Sequence, residues 1–78
     1  LAGQVARAVA EFRSLGLYKP PGVAESIDWA QALHRLEQRG LTVESANASL
    51  GTVLKYREDQ QRVRDHGLDQ VVATATDA

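Results

Sequence analysis

A short run, Lys19-Pro20-Pro21-Gly22, divides this chain more sharply than any other stretch. Each proline locks φ and lacks an N–H, and the residue before a proline is driven out of the helical region, so no helix runs through it. An amphipathic run opens directly afterwards at Val23-Ala24-Glu25-Ser26-Ile27-Asp28-Trp29-Ala30, with the single tryptophan on its first turns. The segment reads as a stiff elbow that aims a helix N-terminus, and the rest of the chain has to fold as helical pieces around it.

Helical periodicity dominates on both sides of the elbow. Val5, Ala8, Val9 and Phe12 mark a first helix over about residues 2–14, stopped at Gly16, with Leu15 and Leu17 tucking back. The second helix is expected over about residues 24–39, with Gly40 as its stop. Its apolar sets are Val23, Ile27 and Ala30 on one side and Trp29, Leu33 and Leu36 beside it, together wide enough to bury. Thr42 is the best N-cap in the chain and opens a third helix carrying Val43, Ala46, Leu50, Val53 and Leu54. Gly51 interrupts that stripe at a cost of about 1 kcal/mol relative to alanine, so it is expected to mark a bend or a close backbone approach. A charged fourth helix over about residues 56–66 ends at Gly67, with Glu58 and Arg62 in the favourable i, i+4 order. Leu68, Val71 and Val72 suit one more docked turn, and residues 73–78 read as a fraying tail. Alternation never persists, so no strand is expected. The sequence reading is therefore a single all-α domain over residues 1–72, a small bundle of four helices without a sheet.

At 78 residues the chain buries only about 60% of its unfolded surface, which makes each large apolar side chain count. A net charge of −1 provides no electrostatic footprint for nucleic acid or an acidic membrane. The signs along Lys55-Tyr56-Arg57-Glu58-Asp59 and on to Asp65 alternate, which reads as a solvated helix face rather than a phosphate-binding stripe. No apolar run approaches the ~20 residues that span a bilayer, and no signal peptide is visible. There is no cysteine, hence no disulfide framework or thiol chemistry, and a cytoplasmic setting is expected. The chain starts at Leu1 and contains no methionine, so it is expected to be a segment of a longer protein.

Chemistry-bearing motifs are missing. There is no phosphate-binding G-x-x-x-x-G-K-[ST] or G-x-G-x-x-G loop, no G-x-S-x-G elbow and no H-E-x-x-H pair. His34 and His66 are too far apart in sequence to form a helical ligand pair and read as surface or half-buried structural histidines, so no metal site is expected. Ser14, Ser26, Ser45 and Ser49 have no neighbouring base, and no catalytic residue is assigned.

The stretch Lys19 to Ala30 resembles the K-P-P-[GS]-V-[AS]-E-[ST]-I-D-W-A segment of MoxR-type AAA+ ATPases, in particular their CoxD-like branch. Leu50-Gly51-Thr52-Val53-Leu54-Lys55-Tyr56-Arg57-Glu58-Asp59 is similar to that branch's L-G-x-x-L-K-x-x-E-D, and Phe12-Arg13-Ser14-Leu15-Gly16-Leu17 to the lead-in before its K-P-P. The resemblance covers roughly residues 5–66, in order. It implies that the chain is the C-terminal helical lid, the sensor-2 domain, of such an ATPase. The parent would bind ATP and Mg2+, hydrolyse ATP and work as a ring chaperone on clients such as metalloenzymes under maturation. The lid's partners would be the nucleotide-binding core of the same chain and neighbouring subunits of a homo-oligomeric ring. The fragment alone would bind no cofactor.

The family's sensor-2 arginine lies near the N-terminus of a lid helix, where N–H groups and a guanidinium favour phosphate. Here Glu25 occupies the corresponding position. Three substitutes stay open: Lys19 supplies the cation, Glu25 works through a metal-bound water or a neighbouring subunit's arginine, or the lid senses nucleotide by packing alone. Lys19, Glu25 and Ser26 are the candidate nucleotide-proximal residues, and Lys55 and Arg57 the candidate subunit contacts. A reading from another class is a free-standing helical adaptor that does not bind nucleotide.

Overall fold

The computed structural model describes residues 1–77 and is helical throughout, with no strand among the described residues. Five helices follow in order: α1 (Ala2–Arg13), α2 (Val23–Arg35), α3 (Val43–Val53), α4 (Arg57–His66) and α5 (Leu68–Thr76). The all-α expectation holds and the count of four is corrected to five. Leu68, Val71, Val72 and Ala75 form a buried stripe, so the single turn foreseen after Gly67 continues as a full helix through Thr76. Residues 73–76, read as a fraying tail, are held in place because α5 lies along α1 and Arg7 Nε donates to the Ala75 carbonyl at 2.7 Å. The same expectation for Ala78 lies outside the described residues. No described helix is long and apolar enough to cross a membrane.

The elements start and stop for local reasons. Thr42 caps α3 as expected: its Oγ1 accepts from Ser45 N at 3.1 Å, while Thr42 N donates to Ser45 Oγ. Gly16 (φ +69°) and Gly67 (φ +115°) take the left-handed backbone that ends α1 and joins α4 to α5. The α2 stop is a correction. It comes at Arg35, four residues before the expected end, through a Schellman motif in which Gln38 N donates to Leu33 O and Glu37 N to His34 O. Glu37 sits at φ +59°, where a glycine would be at ease. Because the helix stops there, Leu36 leaves the stripe it was expected to share with Trp29 and Leu33 and is 56% exposed.

One apolar core joins α1, α2, α3 and α5, with Val63 as the contribution of α4. Trp29 is fully buried and packs at a tilt on Phe12, ring centroids 5.6 Å apart. Its indole N–H donates to Ser49 Oγ at 2.7 Å, and Ser49 Oγ donates to Ser45 O at 2.6 Å, so the polar edge of the ring is satisfied inside the core. Gly51 corrects another expectation. It lies inside α3, is exposed, and an added Cβ would meet nothing closer than Gln60 Nε2 at 3.7 Å, so it marks no close backbone approach.

Candidate functional site

The elbow between α1 and α2 is the most heavily clamped segment outside the helices. Its two prolines have no N–H to offer and its extended backbone has no ladder to join, so its polar groups need side-chain partners. Asp59, on the first turn of α4, supplies two: Tyr18 N donates to Oδ1 at 2.8 Å and Lys19 N to Oδ2 at 2.9 Å. Arg62, one helical turn further on, donates Nε to Leu15 O at 2.6 Å. From the α1 side, Arg13 Nε donates to Pro21 O at 3.1 Å. Gly22 N donates to Glu25 Oε1 at 2.9 Å, and Ser26 Oγ donates to Gly22 O at 2.8 Å. Most of these bonds involve a charged side chain, the stronger class. Asp59 is only 1% exposed, and its position in the first turn of α4 lets the helix dipole favour its charge.

The sequence-predicted residues fall into two groups. Lys19, Glu25 and Ser26 gather at the elbow and the start of α2. The Lys19 side chain is exposed and makes no hydrogen bond or ion pair among the described residues. Glu25 and Ser26 are both engaged with Gly22, and Glu25 forms half of a capping box, since glycine has no side chain to complete it. Lys55 and Arg57 lie at the α3–α4 junction and are exposed; Lys55 Nζ donates to Thr52 O at 3.1 Å, near the end of α3. His34 is exposed, and His66 Nε2 lies 3.6 Å from Glu11 Oε1 across α4 and α1. The expected Glu58–Arg62 pair is not the contact formed, because Arg62 turns to the elbow instead.

Three residues of this arrangement escaped the sequence reading: Asp59, Arg62 and Arg13. Asp59 carried the clearest signal. It stands four residues before Val63, on the buried stripe of α4, where a solvated face would not place a carboxylate. Arg13 and Arg62 bond distant carbonyls, which nothing local announces.

Chemically, the site positions a backbone and carries out no bond-making step that its residues reveal. No group of three or more metal-ligating side chains occurs among the described residues. Glu25 closes the N-terminus of α2, so the helix end that would cradle a phosphate already carries a carboxylate. Lys19 is the cation of the elbow whose side chain is uncommitted. Compared with protein-family models, with curated proteins and with solved structures, the chain matches none of them.

Proposed function

We propose that this chain is the helical lid of a MoxR-type AAA+ ATPase, acting in the cytoplasm in ATP-dependent ring assembly and remodelling of client enzymes. One observation carries the reading. The two separate segments that resemble the family, Lys19 to Ala30 and Leu50 to Asp59, meet at a single buried carboxylate. The last residue of the second segment, Asp59, binds the backbone of the first residue of the other, Lys19. Two motifs that touch behave as one structural unit, which is the behaviour expected of a lid whose elbow and far helices move together.

ATP and Mg2+ would be held by the parent's core, upstream of this chain. The residues present do not fit direct γ-phosphate binding by α2, since Glu25 caps that helix, its first turns carry no arginine, and the nearby Arg13 of α1 is engaged with Pro21 O. The proposal therefore assigns this lid a mechanical part. The clamps from Asp59, Arg62 and Arg13 make the elbow rigid, so a displacement at Lys19 is passed to α4 and α2 as a body. Lys19 is the side chain left to approach a nucleotide, and Lys55 and Arg57 are exposed for a neighbouring subunit.

ATP turnover by the full-length protein tests this. The expected result is hydrolysis, a G-x-x-x-x-G-K-[ST] loop upstream of Leu1, and a larger loss for Lys19→Ala than for Lys55→Ala. A parent without that loop and without turnover overturns the reading, and equal, negligible effects remove Lys19 from it. A second reading, a helical adaptor independent of nucleotide, is favoured by the apolar surface that α1 and α2 leave open.

A further inference from the structure

The sequence presents Val23, Ile27 and Ala30 as part of the buried side of α2, and the fold leaves Val23 and Ile27 outside while Ala30 is partly buried against the core. Val23 is 72% exposed and Ile27 51%. Together with Val5 and Val9 of α1 they line an open groove of about 290 Å³ between the two helices. The groove continues past Ile27 and Ala30 to the end of α2 at Arg35. Spacing of i, i+4, i+7 along α2 makes this a straight apolar stripe, and the 13 residues of α2 run for about 20 Å at the usual helical rise. A contiguous apolar strip of this kind marks an interaction surface.

We propose that the α1–α2 groove docks an amphipathic helix whose apolar stripe is flanked by acidic residues. The charges decide between occupants. Arg13 stands at one end of the groove and Arg35 at the other, and no Asp or Glu lines it anywhere along its length. Neither arginine forms an ion pair among the described residues. A chain with a net charge of −1 has thus placed unpaired positive charge at both ends of its exposed apolar strip. A second copy is a poor occupant on symmetry grounds. A two-fold pair that aligns one groove along another, parallel or antiparallel, sets an arginine end against an arginine end. A partner with carboxylates at its flanks meets both ends favourably and presents its apolar side chains at helical spacing to the strip between. The proposal does not depend on the ATPase reading: the groove borders the elbow at Arg13 and Ser26 but includes neither Lys19 nor Asp59.

The test uses a fluorescent designed peptide of about 14 residues, with leucines at i, i+3, i+4 and i+7 and glutamates at its flanks, titrated with this chain and followed by anisotropy. Two controls carry the same leucine stripe with lysine flanks and the same composition in scrambled order. The expected result is saturable binding of the glutamate-flanked peptide, about tenfold tighter than the lysine-flanked one. Ile27→Glu should abolish binding while leaving the helical circular-dichroism signal and melting cooperativity unchanged, since Ile27 is half exposed and stands outside the core. Arg35→Glu, also at an exposed position, should reduce the preference for acidic flanks. Absence of saturable binding, equal affinity for the scrambled peptide, or no difference between flanks overturns the proposal. So does a concentration-dependent dimer of the chain that Ile27→Glu dissolves, because the occupant would then be a second copy.

Discussion

Helices α2 and α4 depart from their own compositions in opposite directions. α2 is the more apolar of the two, yet Trp29 and Leu33 are its only buried residues, and Val23 and Ile27 stand in solvent. α4 reads Arg-Glu-Asp-Gln-Gln-Arg-Val-Arg-Asp-His, and yet it buries a carboxylate as completely as it buries Val63. The difference shows that burial here follows what lies opposite each side chain. Asp59 is inside because Tyr18 and Lys19 turn two N–H groups toward it, and a buried charge met by two donors is tolerable where an unmet one is not. Val23 and Ile27 are outside because no further helix covers that face of the α1–α2 pair.

The largest losses are expected at the two anchors, Trp29 and Asp59. Trp29→Ala should cost about 3–5 kcal/mol, because it opens a cavity against Phe12 and removes the donor to Ser49 Oγ, which keeps only its own bond to Ser45 O. Loss of cooperative urea unfolding, or a large fall in its midpoint, is the readout. Asp59→Ala should cost about 2–3 kcal/mol by leaving the N–H groups of Tyr18 and Lys19 without their charged acceptor. Asp59→Asn, which keeps one acceptor oxygen, should fall between it and the wild type, and amide exchange at Tyr18 and Lys19 should quicken in the same order. If Asp59→Ala melts like the wild type, the carboxylate is not what holds the elbow.

Two smaller changes should raise stability. Gly51→Ala is expected to add up to about 1 kcal/mol, since Gly51 is helical, exposed and has room for a methyl group. Glu37→Gly should add about 1 kcal/mol by relieving a left-handed backbone that a side chain resists. Both are read from thermal midpoints, and a loss in either would mean that its local geometry is not the one described. The smallest effect is expected on the open face of α2. Ile27→Ser should change stability by no more than about 0.5 kcal/mol, in sharp contrast to Trp29 two residues away. A cost as large as that of a core substitution would show that the face is covered in solution.

Much of the fold was legible in local spacing. The buried set of α1, namely Val5, Ala8, Val9 and Phe12, is the one its periodicity predicts, and Gly16, Thr42 and Gly67 act at the boundaries where they were expected to act. The end of α2 was not legible, since a glutamate in the left-handed cap carries no signature and Gly40 looked like the better stop. Residues 73–76 were misread because a nine-residue helix is marginal alone and gains its stability from lying against α1. Of the candidate site, Lys19, Glu25 and Ser26 stand at the elbow that the prolines announce, and their place near a nucleotide rests on the resemblance alone. The clamps that hold the elbow were not legible, because Asp59 lies 40 residues from Lys19 and Arg62 lies 47 from Leu15.

That the chain is helical, breaks at Lys19 to Gly22 and starts a new helix there is written in its order of residues. These features follow from proline and glycine stereochemistry and from apolar spacing, which act over a few residues. Two outcomes rest on the packed structure: which apolar face of α2 meets the core, and that a carboxylate from α4 holds the elbow. Those outcomes depend on which groups face one another across the bundle, and hydrogen bonding and burial are settled between partners that the order of residues does not reveal.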